Sequence, residues 1–125
     1  MRDFRELIVW ERAHQLTLAV YSATRLFPND EQFGLTSQLR RAAASIAANI
    51  AEGCGREGTR EFLNFLRIAA GSASEVEYHL ILARDLSYLN SEEHAKLTGF
   101  AREVKKMLYS FTDRIRSDAN LPRPS

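Results

Sequence analysis

Apolar positions recur along this chain at helical spacing in four successive segments, and no segment alternates in the manner of a strand. In the first, about 5–26, Val9, Leu16, Val20 and Phe27 line one face while Trp10, His14, Leu18 and Tyr21 line another. Two apolar faces predict a helix covered on two sides. Pro28 ends it, because the residue before a proline is pushed out of the helical region. Pro28 to Glu31 reads as a turn.

The second segment, 35–53, splits into three sectors at 100° per residue. Leu35, Leu39, Ala42, Ala43, Ile46, Ile50 and Gly53 form the expected core face. Ala44, Ala47, Ala48 and Ala51 form a second sector with Arg40 at its edge, and Gln38, Arg41, Ser45, Asn49 and Glu52 form a third. A solvent face normally carries longer charged residues, so the alanine sector reads as a second contact surface. Gly53, Gly55 and Gly58 close the helix, with one of them expected as a left-handed cap. The absence of a preceding strand argues for plain turn chemistry over a phosphate loop.

The third segment, 59–87, carries the stripe Phe62, Phe65, Leu66, Ala69, Ala73, Val76, Leu80 and Ala83. Gly71, in the small-residue run Ala69–Ser74, is expected to allow a close crossing with the second helix. Ser91 is the expected N-cap of the fourth segment, 92–117, followed by Glu92 and Glu93 at the positive end of the helix dipole. Leu97, Phe100, Ala101, Val104, Leu108, Phe111 and Ile115 form its one apolar seam. Short links between four amphipathic helices predict an all-α, antiparallel up-down-up-down four-helix bundle over 1–117. The tail, 118–125, with Pro122 and Pro124, is expected to be flexible.

Composition narrows the function. A length of 125 residues allows one domain with a real core. Seventeen basic residues against sixteen acidic ones give a net charge of +1, which is no bulk argument for nucleic acid. Fourteen of the seventeen are arginine, however, the side chain suited to carboxylate and phosphate. Cys54 is the only cysteine, so no intrachain disulfide can form. No run approaches the ~18 apolar residues of a membrane span, and no signal peptide opens the chain. A cytoplasmic protein without membrane contact is the default expectation.

Several strings resemble a known bacterial family. They include Leu7–Ala13, Phe27-Pro28, Phe33–Ala43, Phe62-Leu63, Phe65-Leu66, Ile68-Ala69, Gly71-Ser72 with Glu75, the Leu86–Leu89 connector and, most specifically, Ser45-Ile46-Ala47-Ala48-Asn49-Ile50-Ala51-Glu52-Gly53. The chain resembles, over about residues 4 to 115, the four-helix bundle proteins related to the intervening-sequence protein encoded within large-subunit ribosomal RNA genes. The resemblance implies a ring-like homopentamer, similar to the accessory variability protein of diversity-generating retroelements. That protein is a strongly basic pentameric barrel that binds nucleic acid and a reverse transcriptase. Members have no established enzymatic activity.

Asn49, Glu52 and Glu75 are the polar residues of the shared strings. They read as a structural network, with Glu52 and Glu75 paired to Arg41 or Arg60, because buried charges need partners. An acid/base pair is the competing reading, but no nucleophile or metal cluster accompanies it. His14, His79 and His94 lack metal-ligand spacing, and no histidine or asparagine pattern marks a partner for a Cys54 nucleophile. No cofactor, metal or catalytic residue is expected. Two basic clusters are the candidate nucleic-acid contacts: Arg40, Arg41, Arg56, Arg60 and Arg67 around the central turn, and Arg102, Lys105, Lys106, Arg114 and Arg116 along the fourth helix. Repeated around a ring, modest patches would sum to a larger positive surface. The sequence therefore predicts a non-enzymatic, homo-oligomeric scaffold or adaptor with RNA or DNA as candidate partners. The alternative is a protein-partner module, for instance for a reverse transcriptase, with no direct nucleic-acid contact.

Overall fold

The computed structural model describes residues 2–123. Four α-helices account for most of them: α1 (Ile8–Thr24), α2 (Leu35–Cys54), α3 (Thr59–Asp85) and α4 (Ser91–Asp118). The described residues contain no strand. Each helix packs on the next in chain order, and α1 also packs on α4. The enclosed core is aliphatic, with Leu16, Leu39, Ile46, Ile50, Leu66, Leu80 and Leu108 almost fully buried. These are the positions that the helical repeat assigns to inner faces.

The ends of the helices depart from expectation. The first helix begins at Ile8 because Leu7 is extended; before it, Phe4–Glu6 forms a single 3₁₀ turn capped by the Asp3 carboxylate, which accepts from the Arg5 amide at 3.0 Å. The polar lead is pinned down: the Arg2 amide donates to the Cys54 carbonyl at 3.2 Å, and its guanidinium lies 5.2 Å over the Phe62 ring. At the start of α2 the cap is Glu31, whose Oε1 accepts from the Leu35 amide at 3.1 Å. Its Oε2 accepts from the Tyr88 hydroxyl at 2.9 Å, tying two connectors together. The N-cap of α4 is Asn90, in a capping box with Glu93, and Ser91 is the first helical residue.

No glycine adopts a positive φ, so the expected left-handed glycine cap after α2 is absent. That conformation occurs instead at Ser87 and Asn120, one residue past the caps of α3 and α4. At both sites the following amide reaches back to the last turn, Tyr88 to the Ala83 carbonyl and Leu121 to the Arg116 carbonyl, each at 2.8 Å. The expected tail begins at Asp118, the last residue of α4, and this closure folds 119–123 back on the bundle. Leu121 packs against the core, and Arg123 pairs with Asp113 at 3.4 Å. Residues 124–125 of the expected tail lie outside the described residues.

The close helix crossing is also displaced. Gly71 is exposed, and a Cβ there would meet nothing within 4 Å. A Cβ on Gly53 would lie 2.8 Å from Cδ1 of Phe62 and 2.9 Å from Cβ of Phe65. Gly53, rather than Gly71, is what lets α2 and α3 approach.

Candidate functional site

Two surfaces stand out, one apolar and one basic. The inner face of α1 (Val9, Ala13, Leu16, Val20) is buried as the pattern predicts. Its second apolar face is covered at one end only: Trp10 is half-buried against the core, whereas His14 is exposed, and Leu18 and Tyr21 are 50% and 42% exposed. The alanine sector of α2 lies beside it. Arg40 stacks 4.6 Å over the Tyr21 ring and donates from Nε to the Thr24 hydroxyl at 2.8 Å, which places the edge of that sector against α1. At the other end Phe4 and Ala51 line a common hollow, and His14 stacks on Trp10 with centroids 5.3 Å apart while Phe4 meets Trp10 tilted at 5.0 Å. Ala47 is buried, Ala44 and Ala51 are half-buried, and Ala48 is exposed. The outer side of α1 and α2 is therefore a low, apolar strip with few charges.

The ten candidate cations do not assemble into the two clusters grouped by sequence. Arg40 serves the end of α1, as just described. Arg41 is exposed and lines a hollow with Phe33, Ser45 and Glu75. Arg56 pairs with Glu52 at 2.7 Å and stacks over Phe65. On α4, Arg102 donates to Glu77 at 3.0 Å, and Lys105 donates to Glu77 and Ser74. Burial alone would raise the Glu77 carboxyl, but the hydrogen bonds and charges of Lys105 and Arg102 outweigh it and hold the carboxyl below its ordinary value. Lys106 and Arg114 flank an apolar groove of about 520 Å³ between α4 and the start of α1, floored by Leu7, Val9, Met107 and Phe111. Exposed Ile8 stands at its rim.

The remaining three, Arg60, Arg67 and Arg116, converge with Arg123 on a cavity of about 410 Å³ between α3, α4 and the C-terminal turn. Sequence reasoning assigned Arg60 and Arg67 to one cluster and Arg116 to the other, and left Arg123 in the tail. The missed signal is Asn120, a residue that tolerates the left-handed cap reversing the chain after α4.

Asn49, Glu52 and Glu75 form no single network. Asn49 donates back to Ser45, to its carbonyl at 2.8 Å and its hydroxyl at 2.9 Å, and the Ser45 hydroxyl meets that of Ser72 at 2.9 Å across α2 and α3. Glu52 pairs with Arg56, and Glu75 sits 3.3 Å from Nε2 of His79. Neither glutamate pairs with Arg41 or Arg60: Glu52 meets Arg56 just past the end of α2, and Glu75 meets His79 one turn along α3, so each partner is reached without crossing to another helix. His79 is buried, with Nδ1 unpartnered among the described residues. Burial, the largest influence, pushes the Cys54 thiol up despite nearby Arg2, the opposite of an activated nucleophile. Among the described residues, no three His, Cys, Asp or Glu side chains gather to hold a metal, and no helix is long and apolar enough to cross a membrane.

These features define an all-α, four-helix protein with an uncovered apolar strip and an arginine-lined cavity. The chain belongs to the family of the 23S rRNA-intervening sequence protein, whose model matches residues 5–110. It is similar to the crystal structure of a protein of unknown function from the S23 ribosomal protein family of Bacteroides thetaiotaomicron. The two are 26% identical, with a TM-score of 0.76, over 84% of this chain and 98% of that one. A search of curated proteins finds no match.

Proposed function

We propose that the chain is a non-enzymatic scaffold: an antiparallel up-down-up-down bundle whose copies assemble through the apolar strip into a ring-like homo-oligomer that holds RNA or DNA. The strip carries this reading. Exposed Leu18 and Tyr21 on α1, with exposed Ala48 and half-buried Ala44 and Ala51 on α2, offer small and apolar side chains on which a second helix could approach closely, and exposed apolar patches mark interfaces. Thr17 with Ala43 and Thr24 with Arg40, Ser45 with Ser72 and Gly53 with Phe62, and Ser74 with Lys105 and Glu77 with Arg102 support the antiparallel order, since in each couple numbering rises on one helix as it falls on the next. The homopentamer comes from the family resemblance. Nucleic acid is the partner whose charge fits the arginine-lined cavity repeated around a ring.

Multi-angle light scattering at micromolar concentration is expected to give a mass of several subunits. Leu18→Glu with Ala48→Glu is expected to yield monomers with unchanged helix content. A monomeric wild-type chain overturns the assembly. A second reading, a protein-partner module, is favoured by the groove between α4 and the start of α1, where Ile8 is 71% exposed. Pull-down with and without nuclease separates the two: loss of capture on nuclease treatment supports the nucleic-acid reading, and persistence supports the protein partner.

A further inference from the structure

We infer that the cavity lined by Arg60, Arg67, Arg116 and Arg123 is a binding site for a run of phosphate groups. The inference rests on the nucleic-acid reading only for the source of those phosphates.

Charge balance is the first argument. Arg116 and Arg123 share one carboxylate, that of Asp113, at 4.0 and 3.4 Å. Arg67 donates from Nη2 to the neutral amide oxygen of Asn64 at 2.6 Å. Arg60 has no acidic partner among the described residues. Four guanidiniums with one carboxylate leave a local positive excess in a chain whose total charge is only +1. Like charges gathered in one hollow repel one another, and an anion relieves that repulsion.

Construction is the second. Arg60 and Arg67 are seven residues apart on α3, two helical turns, so they stand on one face about 10 Å apart along the axis. A row of that length suits successive phosphates better than a single ion. Arg116 is held in place, with its side chain only 17% exposed. Arg123 is brought in by the reversal at Asn120 and the docking of Leu121. For Arg116, part of the freedom that a mobile arginine would lose on binding is therefore already gone, whereas Arg123, with its side chain 78% exposed, is placed by the backbone alone.

The lining selects the ligand. Leu63, Leu121 and Pro122 are the apolar members, and no aromatic ring lines the cavity. Without a stacking platform, bases gain little. Guanidiniums read phosphate oxygens in forks without regard to sequence. The expected ligand is thus a phosphodiester backbone or an inorganic polyphosphate, bound without base preference.

The test titrates the full-length chain at low salt with inorganic tripolyphosphate by calorimetry, and with a labelled single-stranded RNA of mixed sequence by anisotropy. Arg60→Glu/Arg67→Glu is compared with Arg25→Glu/Arg84→Glu, an equal charge change near the opposite ends of α1 and α3. The site predicts at least a tenfold loss for the first variant with both ligands, within about threefold of wild type for the second, and a salt slope lowered by about two. Equal losses in the two variants, or wild-type binding of neither ligand, overturn the site. RNA binding that survives Arg60→Glu/Arg67→Glu overturns the site and leaves the nucleic-acid reading standing. Tripolyphosphate binding that this variant abolishes, without RNA binding by wild type, upholds the site and removes RNA as its ligand. Unchanged circular dichroism shows that neither variant fails by unfolding.

Discussion

The two halves of α3 differ in where they are tight and where they are charged. The first half, from Thr59 to Ala70, presses Phe62 and Phe65 against Gly53 and sends Arg60 and Arg67 toward two more arginines. The second half, from Gly71 to Asp85, leaves its own glycine in open space and places Glu77 between Arg102 and Lys105. Both halves bury their inner faces; the first adds a glycine-tight approach and uncompensated charge, the second an open glycine on its outer side and compensated charge. The meaning of a glycine or an arginine is therefore set by what stands opposite it on another helix. The difference can be broken at either end, and the effects rank by how little room or compensation each site has.

Gly53→Ala is expected to have the largest effect. The new methyl would meet Cβ of Phe65, which sits at the root of its side chain and cannot move without moving α3. Overpacking of this kind costs about 1–3 kcal/mol, against a helix-propensity gain of about 1 kcal/mol. Denaturant unfolding should show a net loss of up to about 2 kcal/mol. A stability equal to or above wild type would mean that α3 stands farther off than the distances state.

Glu77→Gln comes next and probes the compensated half. Its side chain is 15% exposed, and that of Lys105 is 25% exposed, so removing the carboxylate strands a partly buried ammonium. Solvent at Arg102, which is 71% exposed, screens much of the other contact. The expected loss is about 1 kcal/mol near neutral pH. The pH dependence has a definite sign. Because the folded carboxyl lies below its ordinary value, its contribution is complete above the unfolded pKa and disappears as pH falls through the folded one. The gap between wild type and Glu77→Gln should close as pH falls below the ordinary carboxylate range and through the lower folded value. A gap that stays constant over that range would show that the charge of Glu77 contributes nothing.

The pattern of apolar positions was enough to place four helices, because the inner faces of Leu16, Ile46, Leu66 and Leu108 repeat at helical spacing whatever lies across from them. It also marked the second face of α1 and the alanine sector of α2 as surfaces needing cover, and within the chain they have little. What it could not supply was contact between segments distant in sequence. The cluster around the central turn groups Arg40 with Arg56, although Arg40 lies in the second turn of α2 and Arg56 just past its far end. Arg116 and Arg60 looked unrelated until the packing of α3 on α4 brought them to one cavity. Arg102 and Lys105 looked like free charge because Glu77, their counter-charge, is on another helix. Helix ends were misread for a similar reason: Glu31 caps α2 from four residues away, and Ser87 and Asn120 take the conformation that glycine was expected to hold.

Gly71→Ala is the smallest change and sharpens the comparison from the loose side. An alanine in a helix interior is favoured over glycine by up to about 1 kcal/mol, and here the added methyl meets nothing in the chain. Part of that gain arises in the unfolded state, where alanine has less freedom to lose. Thermal or denaturant unfolding should therefore show a gain of about 0.5–1 kcal/mol, opposite in sign to Gly53→Ala on the neighbouring helix. The two substitutions have identical chemistry and both sit in helices, so the sign difference isolates the opposing surface as its cause. Dilution adds a further reading. If α3 at Gly71 faces solvent in the proposed assembly as it does in the chain, the gain should be the same at every protein concentration. A gain seen only in dilute protein, turning to a loss where subunits associate, would place another copy directly over Gly71 and move the subunit contact from the α1–α2 strip to the outer face of α3.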